Sequence, residues 1–243
     1  MNSFGMQNEL YTILAERKLK TVYQPIYQLE SLQAYAYESL ARGPAESRYA
    51  HPLTLFQDAI DMQIAHEVDL LAIQTALQGA ENKIEGLLFI NVLPSTLMRK
   101  DAMEQLLEIT ENSSLKHRLV LELTERTQVR DLKELRTAVN LLRTRGIRVA
   151  IDDLGQGYSS LAAVIELEPE YIKLDRSLVS GISKSSLKQK IVDVLVSISN
   201  EDMFLVAEGI EATSDLEYLK KAGIPFGQGY LLGMPKPLSV QAG

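Results

Sequence analysis

Cysteine is missing altogether from the 243 residues. That excludes disulfides, thiolate metal ligands and a cysteine nucleophile, and says little about the compartment. Histidine is scarce: His51, His66 and His117 stand far apart and away from the ends of the candidate strands. They read as structural or surface residues, and a zinc site built on imidazole has no foundation. Positive charge is outnumbered, with 25 Lys and Arg against 32 Asp and Glu and a net charge of −7, which argues against a basic face for polymeric nucleic acid. An anionic ligand would therefore need metal ions, or a few local Lys and Arg side chains, to attract it. No run approaches the roughly 18–20 apolar residues that span a bilayer, so no membrane partner is expected. The first residues show no basic region leading into an apolar one, so no signal peptide is read there and the expected location is cytoplasmic. No linker, low-complexity stretch or sensor-like segment interrupts the chain, and the expectation is one unit over 1–243.

What is present is alternation. A hydrophobic fraction of 46% with 23% charged residues suffices for a substantial core. After a short helix at 7–18, strands are expected at 21–27 and 33–41. The short link between them makes this first pair antiparallel, because a parallel pair needs a longer crossover. Pro25 hints at an edge or a strand end. From 52 to about 79 the apolar spacing is helical. Strands at 87–91, 118–123, 147–152, 171–174, 203–208 and 226–230 then alternate with helices at 95–109, 129–145, around 187–198 and 213–221. Gly146 and Gly223 serve as stops. Regular β/α alternation argues for a parallel sheet, open or closed. With about eight strands and no second zone of composition, the expected fold is α/β: a TIM-like (β/α)8 barrel with one antiparallel strand near the N-terminus.

The run Arg148-Val-Ala-Ile-Asp152-Asp153-Leu-Gly-Gln-Gly157 ends an apolar strand in two adjacent carboxylates and a glycine-rich turn. Adjacent acids repel unless something positive lies beside them, so the pair is a candidate seat for divalent cations; a solvated turn is the alternative. The same pattern recurs at the end of each candidate strand: Glu38, Asn91, Glu122, Asp152 with Asp153, Lys173, Glu208 and Gln228. In a barrel these ends converge on the C-terminal face, where active sites of this fold sit. Five carboxylates and an Asn carbonyl form a hard-oxygen set suited to Mg²⁺ or Mn²⁺, and exceed the needs of one ion, so two ions are expected.

Six stretches carry a resemblance: Glu38-Ser-Leu-Ala-Arg42, Glu122-Leu-Thr-Glu125, Asp152 to Leu161, Ile172-Lys-Leu-Asp-Arg-Ser177, Ala207-Glu-Gly-Ile-Glu211 and Gln228-Gly-Tyr-Leu231. In order and spacing, over about residues 7–238, they resemble the EAL-domain family of bacterial cyclic di-GMP phosphodiesterases. The resemblance implies that Glu38, Asn91, Glu122 and Asp152 would ligate one metal. Asp152 would bridge to a second held by Asp153, with Glu208 as ligand or base. Lys173 would orient the attacking water or the scissile phosphate, and Gln228 would hold the water network. Arg42 would contact a substrate phosphate, and Leu40, Gln24 and Asp175 would lie against the nucleotide. Glu125 would steady the loop that Gly155 and Gly157 let bend. Glu211 belongs to its motif without an assigned role. The resemblance also implies cyclic di-GMP as substrate, pGpG as product and a homodimer.

The chain departs from the family at Ser39, Leu154, Gln156 and Met234, and none of these removes a ligand. Two readings compete with an active enzyme: a catalytically silent receptor or protein-interaction scaffold of the same family, and a barrel acting on another phosphorylated metabolite.

Overall fold

β1 (Lys20–Gln28) and β2 (Gln33–Arg42) are joined by a turn of four residues and pair antiparallel, as the short link requires. The computed structural model describes residues 3–124, 131–154, 161–199 and 201–239. Helix α1 (Ser3–Ala15) precedes β1. After β2 come α2 (Pro52–Asp61), α3 (Ala65–Ala80) and β3 (Leu87–Val92). Next are α4 (Pro94–Met98), α5 (Lys100–Glu111) and β4 (Leu119–Leu123). α6 (Leu132–Thr144), β5 (Arg148–Leu154), α7 (Leu161–Leu167) and β6 (Tyr171–Leu174) follow. The chain continues through α8 (Arg176–Val179), α9 (Ser186–Ile198), β7 (Phe204–Ala207), α10 (Thr213–Lys221) and β8 (Phe226–Gly227).

The strands close into a barrel in sequence order, β1 to β8. β2 through β8 are mutually parallel, and β1 alone runs against both of its neighbours. The expected barrel with one antiparallel strand is therefore the observed fold. Closure leaves β1 without a free edge, yet Pro25 is still accommodated. Tyr23 exchanges backbone bonds with Lys236, and pairing with β8 resumes only at Tyr27. Strand alternation puts the Pro25 nitrogen, which has no hydrogen to donate, on that same seam between the two.

Two helices expected as single elements are each broken. The apolar spacing of Ile60, Ile64 and Val68 runs unbroken across 52–79, but Gln63 adopts a left-handed φ of 61° and separates α2 from α3 without a glycine or proline to announce it. Extended backbone at Arg99 likewise separates α4 from α5. Helix α6 begins at Leu132, where the Asp131 carboxylate accepts from the N–H groups of Lys133 and Glu134. Among the described residues no helix is long and apolar enough to cross a membrane.

Two packed regions follow from the alternation of side chains along each strand. Outward residues such as Leu88, Leu121, Val149 and Leu205 join α3, α5, α6 and α9 in one large core. Inward, Ile26, Ala36, Phe89, Val120, Ala150, Tyr171, Val206 and Phe226 form a second core, one residue from each strand. This apolar plug is the floor on which the polar end of the barrel stands.

Candidate active site

A period of two along a strand returns the side chain to the same face. Two residues beyond each floor residue of β2–β8 stand Glu38, Asn91, Glu122, Asp152, Lys173, Glu208 and Gln228. On β1, which runs the other way, Gln24 stands two residues before Ile26. Every strand thus contributes one polar side chain directly above one apolar one. The register climbs at four junctions, as closure with stagger demands, one of them the β8–β1 seam, where Phe226 lies opposite Gln28 and not Ile26. Glu38 lies opposite Phe89, Glu122 opposite Ala150 and Lys173 opposite Val206. Those three therefore sit beside the apolar floor of the next strand and are buried, whereas Asn91, Asp152 and Glu208 are only half-buried.

Asp152 and Asp153 are consecutive, and simple alternation would turn one of them out of the barrel. The β5–β6 register shifts between Ile151 and Leu154, and Asp153 takes a left-handed φ of 53°. This irregularity re-aims the strand end, as bulges beside active sites do. Carboxylate oxygens of Asp152, Asp153 and Glu208 consequently lie within 4.8 Å of one another.

The Lys173 ammonium, 1% exposed, is the hub of the tier. It lies 2.6 Å from Glu208 Oε1, 2.9 Å from Glu122 Oε1, 3.2 Å from Glu38 Oε2 and 3.4 Å from Asp152 Oδ1. Gln228 Nε2 donates to Glu38 Oε2 and to Glu208 Oε1, the latter at 2.9 Å, and Asn91 Nδ2 donates to Glu38 Oε1 at 3.2 Å.

One cation cannot neutralise this many acids in a buried place. Burial, reinforced by the charges of Glu38, Asp152 and Glu208, pushes the Glu122 carboxyl well above its ordinary range despite Lys173. Burial and the Asp152 and Glu38 charges push Glu208 up to about 8 against the pull of Lys173. Burial and the adjacent Asp152 raise Asp153 to about 6. Burial would raise Glu38 too, but Lys173 and hydrogen bonds from Gln228 and Asn91 hold it below its usual range. Burial would lower Lys173, yet the carboxylates, Asp152 and Glu122 foremost, keep it well above its ordinary value.

This surplus of negative charge fits divalent cations. Two further observations agree: Glu122 Oε2 and Gln228 Oε1 are buried and have no hydrogen-bond partner among the described residues. Acceptor atoms left that way are costly unless an ion or water completes them. The donors are all oxygens, the set suited to Mg²⁺ or Mn²⁺.

A cavity of about 270 Å³ opens above the tier, lined by Glu38, Leu40, Arg42, Asn91, Asp152, Asp153, Lys173, Glu208 and Gln228 among others. The two expected nucleotide contacts Leu40 and Arg42 are thus at the cavity. Gln24 is in the tier, but its amide donates to Gly233 O at 3.0 Å and it is not among the lining residues. Asp175 is buried away from the lining, where its carboxylate accepts from Ser177 N at 2.7 Å and caps α8. Glu125, Gly155 and Gly157 lie outside the described residues.

The cavity has a second wall that no strand-end pattern marks. Pro52, Phe56 and Asp69 line it from α2 and α3, and buried Thr124 lines it from beyond β4. Asp69 accepts from Leu93 N and Thr96 Oγ1, both at 2.7 Å, and so ties α3 to the corner just past Asn91. The available signal was an acid embedded in an apolar helical run, Val68-Asp69-Leu70-Leu71.

The model of the EAL domain matches residues 7–235. The chain belongs to the EAL domain family. Among its EAL relatives, a probable cyclic di-GMP phosphodiesterase of Escherichia coli, PdeI, is 31% identical over 232 residues, covering 91% of this chain and 29% of PdeI. A second from the same organism, PdeD, is 28% identical and covers 96% of this chain and 44% of that protein. The chain spans less than half the length of these curated relatives. Klebsiella pneumoniae BlrP1, solved with calcium and cyclic di-GMP, superposes with a TM-score of 0.80 at 29% identity, over 90% of this chain and 56% of that one. The EAL enzyme Bd1971, solved with cAMP and cyclic di-GMP, superposes with a TM-score of 0.86 at 23% identity over 97% of this chain and 66% of that one, and supports the shared fold.

Proposed function

We propose that this EAL domain is a metal-dependent phosphodiesterase that hydrolyses cyclic di-GMP to linear pGpG. The observation that carries the reading is the polar tier with its excess acid: four carboxylates around one ammonium with Asp153 beside them, two buried acceptor atoms unpartnered among the described residues, and a cavity directly above. The names and contents of the relatives point to the same substrate.

Glu38, Asn91, Glu122 and Asp152 would hold one ion, and Asp152, Asp153 and Glu208 a second. When bound, Mg²⁺ or Mn²⁺ supplies Lewis acidity, acidifying water and neutralising charge on phosphoryl oxygens. The chain's own groups do the rest. Arg42 grips a phosphate with its planar fork, while Leu40 and the α2–α3 wall hold the nucleotide above the tier. Glu208 takes the proton of the attacking water. Lys173 and Gln228 keep Glu208 oriented, and the Lys173 ammonium faces the negative charge that develops as water adds to phosphorus and one P–O ester bond breaks, the ribose oxygen leaving as a hydroxyl with the proton that Glu208 took. Gln24 keeps the rim in place through Gly233, and Asp175 does so through α8. Glu125 would steady the loop after Asp153.

A second copy of the chain is the proposed partner. Leu187, Ile191, Val194 and Ile198 fall on one face of α9 and are exposed, as are Leu161 and Ile165 on α7. Apolar side chains left exposed along these two helices favour association.

Incubation with cyclic di-GMP and Mg²⁺, resolved by chromatography, tests the reading. Appearance of pGpG, abolished by EDTA and restored by Mn²⁺, is the expected result. Binding of the dinucleotide without turnover would instead make the chain a receptor.

A further inference from the structure

Glu211 shares a motif with Glu208 but takes no part in the tier, and its neighbourhood explains why it is there. The segment Lys173–Arg176 holds the segment Glu208–Glu211 at four successive points. Lys173 Nζ meets Glu208 Oε1 at 2.6 Å, and Leu174 O accepts the Glu208 N–H at 3.0 Å. The stem of Arg176 then lies against Gly209, and Arg176 Nη2 reaches Glu211 Oε2 at 2.9 Å.

Gly209 is where the chain leaves β7, with a left-handed φ of 66°. A side chain there is barred twice. The conformation disfavours it, and a Cβ would meet Arg176 Cγ at 2.5 Å and Arg176 Cβ at 2.7 Å. On the other flank, Ile210 N donates to Gln228 O at 3.1 Å. Glu208 is thus mounted on a turn held from the β6–α8 corner on one side and from β8 on the other. The Arg176–Glu211 pair closes the first of these.

We propose that Arg176 and Glu211 are positioning residues for Glu208: their ion pair, drawn across Gly209, fixes the turn that aims the Glu208 carboxylate at Asp152 and Asp153. The inference rests on the divalent-cation reading of that cluster, and not on the identity of the substrate. Both partners are partly exposed, so the pair contributes little to global stability. Its leverage is geometric, because groups that orient metal-binding side chains typically change metal affinity by about 10–100-fold when removed.

The test measures Mn²⁺ binding to the full chain by calorimetry, without nucleotide. Arg176→Ala and Glu211→Gln should each weaken Mn²⁺ binding about tenfold, the low end for an orienting group. The melting temperature of metal-free Glu211→Gln should stay close to the parent value. Arg176→Lys, which keeps stem and charge, should recover most of the affinity. With cyclic di-GMP present, the variants should lose kcat with little change in KM. Unchanged Mn²⁺ affinity in Glu211→Gln overturns the proposal, as does a loss of affinity that Arg176→Lys does not recover. A parent chain that binds Mn²⁺ yet forms no pGpG refutes the phosphodiesterase reading and leaves the clasp to be judged on affinity alone. A parent chain that binds no Mn²⁺ overturns both.

Discussion

Replacing Lys173 by Met removes one ammonium from among four carboxylates while roughly keeping the volume of the side chain. Its Nζ contacts Glu208, Glu122, Glu38 and Asp152 between 2.6 and 3.4 Å, and both it and Glu122 are almost wholly buried. Removing one partner from a buried ion pair costs about 3–5 kcal/mol, because the charge left behind has nothing to replace its water. For a chain of this size each kcal/mol moves the melting temperature by about 2–4 °C, so the metal-free variant should melt roughly 6–20 °C below the parent. Mn²⁺ should reverse much of this. An ion at a hundred times its dissociation constant stabilises by about 2.7 kcal/mol, or roughly 5–11 °C. In the variant the ion meets the same acids without a competing ammonium, so its melting point should rise more than the parent's. Thermal unfolding by calorimetry, with EDTA and then with Mn²⁺, reads both effects. A metal-free variant melting within about 2 °C of the parent would refute the reasoning, because it would mean that Lys173 does not hold the acids together. A larger Mn²⁺ response in the parent would refute it too.

Glu38→Ala and Asp152→Ala should each abolish release of pGpG, and hydrolysis retained by either variant removes that residue from the metal site. Ca²⁺, larger and looser in its geometry, should replace Mg²⁺ poorly in the same chromatographic assay. Asp215 accepts from the N–H groups of Gly181 and Ser183 at 2.8 and 3.0 Å, and although burial opposes it, these bonds hold its carboxyl below the ordinary range. The native state then binds fewer protons than the unfolded state, so this stability is present above a pH of about 4 and is lost as pH falls through the native value. Asp215→Asn should cost about 1–3 kcal/mol at neutral pH and flatten the acid limb of the stability curve; an unchanged limb counts against it. Ile165→Glu with Val194→Glu should convert a dimer to a monomer by light scattering, leaving thermal unfolding nearly unchanged because both side chains are exposed. A parent chain already monomeric at high concentration would exclude the proposed interface.

Strand positions were legible because each strand carries its own punctuation. Residues 87–90 run apolar and stop at Asn91, and residues 119–123 are apolar except for Glu122, so the polar residue marked both the strand and its exit. The antiparallel start was legible from a link too short for a crossover. The break at Gln63 was not, since no glycine or proline marks it and the apolar spacing continues across it. Nor was the wall that Phe56 and Asp69 add to the cavity, because an acid within a helical stripe has no visible partner until α4 is packed beside it.

By itself the sequence determined the alternation, the closed barrel it favours and the set of oxygen donors, because side-chain period and residue chemistry are local properties of the chain. Only the tertiary structure decided which acids lie deep and which near the rim, how consecutive Asp152 and Asp153 come to share a site, and how Glu211 is joined to Arg176. Those depend on barrel stagger, on one strand irregularity and on a glycine turn, which are relations between segments far apart along the chain.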